Sequence, residues 1–460
     1  MKTRTLVLSP LFLVVLIICL QTPIATAVVL PPPPPAELLW MNEVGTNDIA
    51  LSKDGQYVAA VGLAATSGEL RFYNRTSETP KTPQWTWSTG EDLLSVAISS
   101  DGSCVAAGGS SHVFFWKNAK SRTPGNTDPT WTSEDLGGPI LDRCLAMSDD
   151  GNYLVAGGTG PNVFYWKDAK LKSGSDVQTT WDAWVNGFVE AVDISSNGNY
   201  VVVGFGTNVS YWKGAASLTG SQWGGTAPPP DWTSTEPDNG VSDVAVSDDG
   251  NYVAAATFPT AFPGTVYYWA GATGLTDDPY ATWYGGLGVS FTSIDMSSDG
   301  DSVIAGALID SNPITGKVYF WSGARGLTGK PQNPKWTHDT TTQVIDVAID
   351  AAGDYMAAVD DAGTPYVYFF DSTGDLKWTY GISEGGPILS ISSDGGTLAI
   401  GTGGLASRYL VSTGFKTPSG RPVGGILIAV DKLALLSPWI AVALTTLALT
   451  VFAAKRKRKP

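Results

Sequence analysis

The residue types that most often carry chemistry are scarce in this chain. His112 and His338 are its only histidines, and neither has the spaced His or Cys neighbours that a transition-metal site requires. The sequence has no nucleophile elbow and no phosphate-binding loop, because its glycines fall at hairpins and strand ends. We therefore predict no catalytic residues and no enzymatic activity. An enzyme is the main alternative.

Two aspartates are the best candidates for binding a cation. Asp193 and Asp295 take a position in a repeated sequence pattern that is otherwise Ala or Ser, which predicts that they lie near the centre of a ring of repeats. Their oxygens suit a hard cation such as calcium, but such a site needs about six ligands. Hydrogen bonds to the backbone and to channel water are the interpretation we favour. We therefore predict no cofactor, with calcium as the weaker alternative.

Two cysteines lie outside the N-terminal apolar run. Cys104 follows a predicted hairpin turn and Cys144 begins a predicted inner strand, so their heights in neighbouring repeats should differ. A disulfide requires Cα atoms within about 7 Å, and we favour two buried thiols over a disulfide. Asn74 and Asn208 begin N-glycosylation sequons, and Asn74, in a polar connection, is the better candidate.

Both ends of the chain carry the signals of a membrane protein. Residues 1–27 have the order of a secretory signal peptide, with two cations, an apolar run and small residues ending at Ala27. Residues 433–454 contain no charge and precede the basic tail 455–460. A helix of this length reaches about 33 Å, enough to cross a bilayer, and the basic tail favours the cytoplasm. We predict a single-pass protein of the cell membrane with its main domain extracytoplasmic.

The charge balance excludes one class of partner. The net charge is −15. Residues 1–27 and 455–460 contain seven of the 28 cations and no acid, which leaves 21 Lys and Arg against 43 Asp and Glu. A domain this acidic repels phosphate backbones, so we predict that it does not bind nucleic acid.

One pattern recurs between these ends: an apolar strand, a tight turn, a small-residue strand, an aromatic strand and a strand that begins with Trp. The turns are Asp54-Gly55, Asp101-Gly102, Asp150-Gly151, Asn197-Gly198, Asp249-Gly250, Asp299-Gly300, Ala352-Gly353 and Asp394-Gly395. The closing tryptophans are Trp85, Trp131, Trp181, Trp232, Trp283, Trp336 and Trp378. This period is typical of four-stranded blades, so the sequence predicts an all-β, eight-bladed β-propeller.

The eighth repeat lacks a fourth strand, and the other end of the chain supplies a candidate. Glu37–Glu43 resembles the Trp-containing strands and has no three-strand partner of its own. We expect it to complete the blade formed by residues 388–410, which would close the ring. The predicted domains are therefore a Pro-rich spacer at 28–36, the propeller at 37–413 and a tether at 414–432, between the signal peptide and the membrane helix.

Two families resemble parts of this sequence. Residues 244–269, which run from an inner strand through an Asp-Gly hairpin to an aromatic pair, resemble the WD-repeat propellers, although the Gly-His and Trp-Asp signatures are absent. Residues 371–378 are similar to the repeat of pyrroloquinoline-quinone dehydrogenases, which are also eight-bladed. The adjacent cysteine pair of those quinoproteins has no counterpart, so the resemblance implies architecture and carries over no catalytic residue.

The expected function is a binding or scaffold module at the cell surface. Connections from each outer strand to the next inner strand are rich in acids, including Glu91, Asp92, Glu134 and Asp135, whereas connections after third strands are rich in cations. We predict that the acidic rim contacts an unknown protein or glycan partner and that the basic rim faces the membrane. A subunit of a membrane complex is a further alternative.

Overall fold

The computed structural model describes residues 37–43, 46–64, 67–74, 82–221, 225–259, 264–311, 313–382, 387–401 and 411–416. The predicted signal peptide, most of the tether, the predicted membrane helix and the basic tail lie outside these residues. Within the described ranges, no helix is long and apolar enough to cross a membrane.

Almost all described elements are strands. The first eighteen are β1 (Glu37–Glu43), β2 (Asp48–Leu51), β3 (Tyr57–Ala64), β4 (Ser67–Asn74), β5 (Trp85–Thr89), β6 (Ser95–Ile98), β7 (Cys104–Gly108), β8 (Val113–Lys117), β9 (Trp131–Ser133), β10 (Leu145–Met147), β11 (Tyr153–Ala156), β12 (Asn162–Lys167), β13 (Gly174–Val177), β14 (Trp181–Trp184), β15 (Val189–Ile194), β16 (Tyr200–Phe205), β17 (Asn208–Lys213) and β18 (Trp232–Ser234).

The remaining strands are β19 (Gly240–Val246), β20 (Tyr252–Phe258), β21 (Gly264–Ala270), β22 (Trp283–Met296), β23 (Ser302–Ser311), β24 (Ile314–Ser322), β25 (Trp336–Thr340), β26 (Val344–Ile349), β27 (Tyr355–Asp360), β28 (Tyr366–Asp371), β29 (Leu376–Gly381), β30 (Ile388–Ile391), β31 (Thr397–Gly401) and β32 (Val411–Lys416). Five single-turn 3-10 helices follow third strands: η1 (Ala119–Ser121), η2 (Ala169–Leu171), η3 (Ala215–Ser217), η4 (Ala272–Gly274) and η5 (Ala324–Gly326).

The predicted number of separate four-stranded blades is wrong. Five sheets have that form: β2-β3-β4-β5, β10-β11-β12-β14, β15-β16-β17-β18, β26-β27-β28-β29 and β30-β31-β32-β1. The strands β6 to β9 form a five-stranded sheet with β13, which adds parallel to β9. The strands β19 to β25 form one seven-stranded sheet, because the first part of β22 pairs with β21 and its second part pairs with β23. An unbroken strand therefore joins two repeats that the sequence pattern separates.

The innermost strands nevertheless form a closed ring. Each contacts the next in chain order and the last contacts the first, in the order β2, β6, β10, β15, β19, β22, β26 and β30. The strand β1 pairs antiparallel with β32 and is the outermost strand of the sheet that begins with β30. The prediction that the N-terminal segment completes the last sheet is therefore confirmed. The third strand of that sheet is β32, which starts one residue after the predicted range 388–410 and extends into the predicted tether.

The hairpin turns explain the recurring Ser-x-Asp-Gly sequence. In one of them, the Ser148 hydroxyl donates to the carboxylate of Asp150 at 2.8 Å and accepts the backbone N–H of Tyr153 at 3.0 Å. Gly151 has a φ of 71°, and a Cβ there would lie 2.6 Å from the Cβ of Cys104 in the preceding sheet. Both the backbone geometry and the close packing therefore require glycine.

The ring has two faces, which we name by their connections. The hairpin face carries the Asp-Gly turns and the 3-10 helices, because the first N–H of each such helix bonds to the neighbouring turn, as Ala169 does to Asn152 at 2.9 Å. The connection face lies at the opposite end and carries the links from outer strands to following inner strands, for example residues 185–188. Because consecutive strands of a sheet run in opposite directions, their connections lie on alternate faces of the ring.

Candidate functional site at the central channel

Five aspartates on inner strands hold neighbouring inner strands together along the channel. One carboxylate oxygen of Asp193 accepts the N–H of Ile194 at 2.8 Å, and the other accepts that of Val246 on the next inner strand at 2.8 Å. Asp295 binds Met296 and Ile349 in the same way, at 2.7 and 2.9 Å. Adjacent inner strands do not pair with each other in a hydrogen-bonded ladder, so these carboxylates supply links between them. The other members of the set are Asp48, Asp243 and Asp346.

Burial changes the protonation of these carboxylates. Loss of solvent raises the pKa of Asp193 to about 7 and that of Asp295 to about 8, although two backbone N–H groups oppose each shift. Burial likewise raises the pKa of Asp346 to about 6. Among the residues that the structure describes, no group of three or more His, Cys, Asp or Glu side chains could hold a metal ion. Calcium at Asp193 and Asp295 stays a prediction, and the observed partners of both side chains are backbone amides.

One lysine closes the hairpin-face end of the channel. Lys53 reaches across the mouth to Asp149 at 2.9 Å and to Asp248 at 3.3 Å, which belong to two other sheets. These residues line a cavity of about 230 Å³ together with Asp193. The ammonium group of Lys53 offsets the repulsion between these two carboxylates at one opening of the channel.

Arg143 spans the channel near the connection face. Its Nη1 donates to the carbonyl oxygen of Thr292 at 2.6 Å, and its Nη2 donates to that of Ile345 at 2.8 Å. The carboxylates of Asp243 and Asp346 each lie 3.8 Å from the guanidinium. Burial works to lower the pKa of Arg143, but Asp243 and the other nearby carboxylates raise it above its usual value. The residue has a φ of 60°, an uncommon conformation that often accompanies a functional position.

The carbonyl groups that Arg143 binds belong to irregularities in the inner strands. The pairing of β22 with β23 skips Thr292, and the pairing of β26 with β27 skips Ile345. The strands β15 and β19 have register shifts at the same level, which leave out Glu190 and Ser242. A bulge leaves one residue out of the ladder and re-aims its side chain and carbonyl group. Four consecutive inner strands therefore place an unpaired residue at this mouth.

Two cavities meet at Arg143. The one nearer the connection face has a volume of about 430 Å³ and is lined by Asn47, Leu94, Leu141, Asp142, Arg143, Glu190 and Ser242. Burial raises the pKa of Glu190. The deeper cavity has a volume of about 220 Å³ and contains Asp48, Asp243, Asp295 and Asp346 in its wall. Carboxyl groups outnumber the single guanidinium in both cavities, so the lining offers acceptors to a cation, with a negative potential that grows as these buried acids ionise.

The sequence-predicted rim acids lie on the connection face, but they differ in availability. Glu91 is half-buried, contacts Nδ1 of His112 at hydrogen-bond distance and accepts the N–H of Ser111 at 3.1 Å. Asp92 and Asp135 are exposed. One carboxylate oxygen of Glu134 is buried and has no hydrogen-bond partner among the described residues. Among these four acids, Asp92 and Asp135 therefore present the more open negative charges to a partner.

The expected basic rim is balanced by acids that sequence reasoning assigned only to turns. Lys120 pairs with Asp101 at 2.8 Å, and Arg325 contacts both Asp299 and Asp301 at 3.1 Å. These aspartates belong to the Asp-Gly hairpins, which lie on the same face as the connections after third strands. The hairpin face is therefore mixed in charge and not uniformly basic.

The remaining candidates have structural surroundings. Cys104 and Cys144 are free and buried, as predicted. His338 packs on the ring of Phe370 at 4.9 Å, and burial lowers its pKa. Asn74 ends β4, and Asn208 begins β17.

Sequence reasoning missed the two cations that define the channel. Comparison of equivalent repeat positions would have found both. Arg143 is the one cation among the eight residues that lie two positions before the repeated apolar residue of the inner strands, which is Leu145 in its own repeat. Lys53 is the one cation among the eight residues that immediately precede the turn dipeptides. Glu190 and Ser242 carry no comparable signal, because a bulge cannot be read from residue type.

Comparisons with known proteins support the architecture. No protein-family model and no curated protein sequence matches the chain. The structure is similar to Sqt1 of Saccharomyces cerevisiae, with a TM-score of 0.60 and 13% identity over 84% of this chain and 100% of that one. It is also similar to a chain in the crystal structure of the mitotic checkpoint complex, with a TM-score of 0.52 and 14% identity over 84% of this chain and 98% of that one. The fold is a WD40-like β-propeller, and at this identity the likeness shows the fold alone.

Proposed function

We propose that the protein is a non-enzymatic binding or scaffold module, anchored in the cell membrane by residues 433–454, whose connection face binds a protein partner. The observation that carries this proposal is the distribution of exposed apolar side chains. Six of the nine large exposed hydrophobic residues among those described lie on the connection face: Trp184, Phe188, Phe258, Ile309, Ile314 and Tyr366.

These side chains favour a protein over a small molecule as the partner. Trp184 is 64% exposed at the end of the outer strand β14, and Phe188 is 63% exposed in the link that follows it. Exposed aromatic residues on one face are typical of protein interfaces. The open charges of Asp92 and Asp135 on the same face favour a partner with basic residues. The similar chain in the mitotic checkpoint complex belongs to a multi-protein assembly, which agrees with such a role.

A paired substitution tests the partner-binding face. Asp92→Asn with Asp135→Asn should weaken cross-linking of the full-length protein to its cell-surface partner, and more so at low salt, because screening already weakens the charge attraction at high salt. The matched control is Asp128→Asn with Asp375→Asn, which removes two exposed charges from connections on the hairpin face. An equal loss in both pairs, or no loss in the first, would contradict the assignment.

The membrane topology has its own test. If the predicted signal peptide and anchor operate, protease added to intact cells should remove the propeller and leave only the anchor and basic tail. A propeller that resists protease on intact cells but not after lysis would place it inside the cell. A purified protein with a stoichiometric chromophore would argue instead for the quinoprotein-like alternative.

A further inference from the structure

Four inner strands have a bulge at the connection-face mouth, and Arg143 binds the carbonyl groups of only two of these bulges. Arg143 donates to the carbonyl oxygens of Thr292 and Ile345, the bulged residues of β22 and β26. The bulged residues of β15 and β19 are Glu190 and Ser242, and both line the cavity of about 430 Å³. The wall of this cavity therefore contains two further bulges of the kind whose carbonyl groups bind the guanidinium of Arg143.

The side chains of that wall complement a cation with an aliphatic stem. Glu190 and Asp142 contribute carboxylates, and Leu94 and Leu141 contribute apolar surface. The hydroxyl oxygen of Ser242 is buried and has no hydrogen-bond partner among the described residues. A buried polar atom of this kind ordinarily has a partner, and rotation about the Cα–Cβ bond of Ser242 turns this oxygen toward the cavity that the half-buried residue lines.

We propose that this cavity binds the guanidinium group of an arginine side chain presented by a protein partner, with Glu190 as its carboxylate and Ser242 as a further hydrogen-bond acceptor. This proposal rests on the proposed partner-binding function and names the chemistry that the connection face recognises. A guanidinium is favoured over an ammonium because its planar set of donors can reach a carboxylate and a second acceptor together, as Arg143 reaches two carbonyl groups.

The source of the guanidinium follows from the charge around the mouth. Asp92 and Asp135 leave the connection face with open negative charge. Free arginine would bring an α-carboxylate and an α-ammonium group toward these acids, whereas an arginine within a peptide chain presents the guanidinium as its only charge. The exposed Trp184 and Phe188 lie on the same face and offer apolar contacts to the rest of a partner.

Calorimetric titration of the full-length protein tests the proposal with three probes: acetyl-Gly-Gly-Arg-Gly-Gly-amide, the same peptide with citrulline in place of arginine, and free arginine. The arginine peptide should bind about ten-fold or more tightly than the citrulline peptide, because a charge-assisted hydrogen bond contributes about 1.5–3 kcal/mol. It should also bind more tightly than free arginine. Equal binding of the arginine and citrulline peptides would overturn the proposal, and tighter binding of free arginine would assign the site to a small molecule.

Two substitutions locate the binding site. Glu190→Gln should weaken binding of the arginine peptide about ten-fold, and Ser242→Ala should weaken it less, because it removes a neutral partner. Glu190→Gln keeps the size of a side chain whose charge is disfavoured by burial, so the variant should fold, which thermal unfolding would check. Asp375→Asn, whose carboxylate is 78% exposed at the hairpin-face end of β29, is the matched control. Unchanged binding by Glu190→Gln would refute the site.

The failure of this proposal can be distinguished from failure of the proposed function. If cross-linking to a partner depends on Asp92 and Asp135 but not on Glu190, the connection face binds protein and the arginine site is wrong. If the arginine peptide binds through Glu190 but no partner is cross-linked at the cell surface, the cavity stands and the surface function is wrong.

Discussion

The indole Nε1 of Trp181 donates a 2.9 Å hydrogen bond to the carbonyl oxygen of Ala215, a residue of the following sheet. The same bond joins neighbouring repeats at four other tryptophans, and in each case the acceptor is the alanine that begins a 3-10 helix. The acceptor alanines are buried, and each tryptophan also stacks on an aromatic ring of its own sheet, as Trp181 does on Tyr165 at 4.9 Å. One side chain therefore packs within a repeat and bonds to the next.

The chain provides a control for this contact. Trp336 stacks on Phe320 at 5.1 Å, but its Nε1 is buried without a hydrogen-bond partner among the described residues. The residues that follow the next third strand there contain the turn at Gly374, with no 3-10 helix to offer an alanine carbonyl group. Trp181→Phe should therefore lower the free energy of unfolding more than Trp336→Phe, by about 1–3 kcal/mol. Chemical denaturation of both variants measures the difference, and equal losses would show that packing alone accounts for the tryptophans.

The sequence predicted the repeat well because its signals are local. Asp-Gly turns, the aromatic third strands and the Trp-containing strands each depend on neighbouring residues, and the structure contains the strands near those positions. The continuity of β22 was missed because residues 284–289 contain three glycines, which ordinarily predict a break. The contacts of Arg143 were missed because they join residues about 150 and 200 positions apart, which no local pattern reports.

Removal of the channel arginine should strongly destabilise the ring. Arg143→Met would leave the carbonyl groups of Thr292 and Ile345 and the carboxylates of Asp243 and Asp346 without this partner. The loss of one member of a buried charged group costs about 3–5 kcal/mol, so we expect a clear fall in the unfolding midpoint.

A conservative variant separates charge from geometry at the same position. Arg143→Lys should recover only part of the lost stability, because an ammonium lacks the planar donors that reach two carbonyl groups at once. Lys335→Met, which removes an exposed cation, should change the midpoint little. Full recovery by lysine would mean that charge, and not the two hydrogen bonds, explains the role of Arg143.

The channel aspartates predict how stability depends on pH. Burial raises the pKa of Asp295 from 3.8 to about 8, so the folded protein holds a proton that the unfolded chain releases near pH 4. The stabilising contribution of this group is complete below pH 4 and is lost as the pH rises through about 8. Unfolding measured by denaturant should therefore show stability that falls between pH 5 and pH 8, with each such group contributing a slope of at most about 1.4 kcal/mol per pH unit.

Another inner strand supplies the substitution that tests this pH dependence. Ser390 occupies the repeat position of Asp295, and its hydroxyl accepts the N–H of Leu51 at 3.0 Å. Asp295→Ser should thus keep an acceptor for Ile349 while removing the titrating group, and the fall in stability with pH should become shallower. Asp375→Asn, at an exposed position, should leave the slope unchanged. A slope unaffected by Asp295→Ser would mean that other groups dominate the titration.

The pairing of the two ends of the propeller gives the last prediction. Because β1 pairs with β32, deletion of Glu37–Glu43 removes the outer strand of the sheet that contains β31 and exposes an unpaired edge. Amide hydrogen exchange should therefore accelerate at Leu398 and Ile400, which lie far from the deletion in sequence. Deletion of the predicted spacer 28–36 alone is the control and should leave these amides protected. If both deletions give the same protection as the intact chain, the terminal strand contributes no measurable stability to the ring.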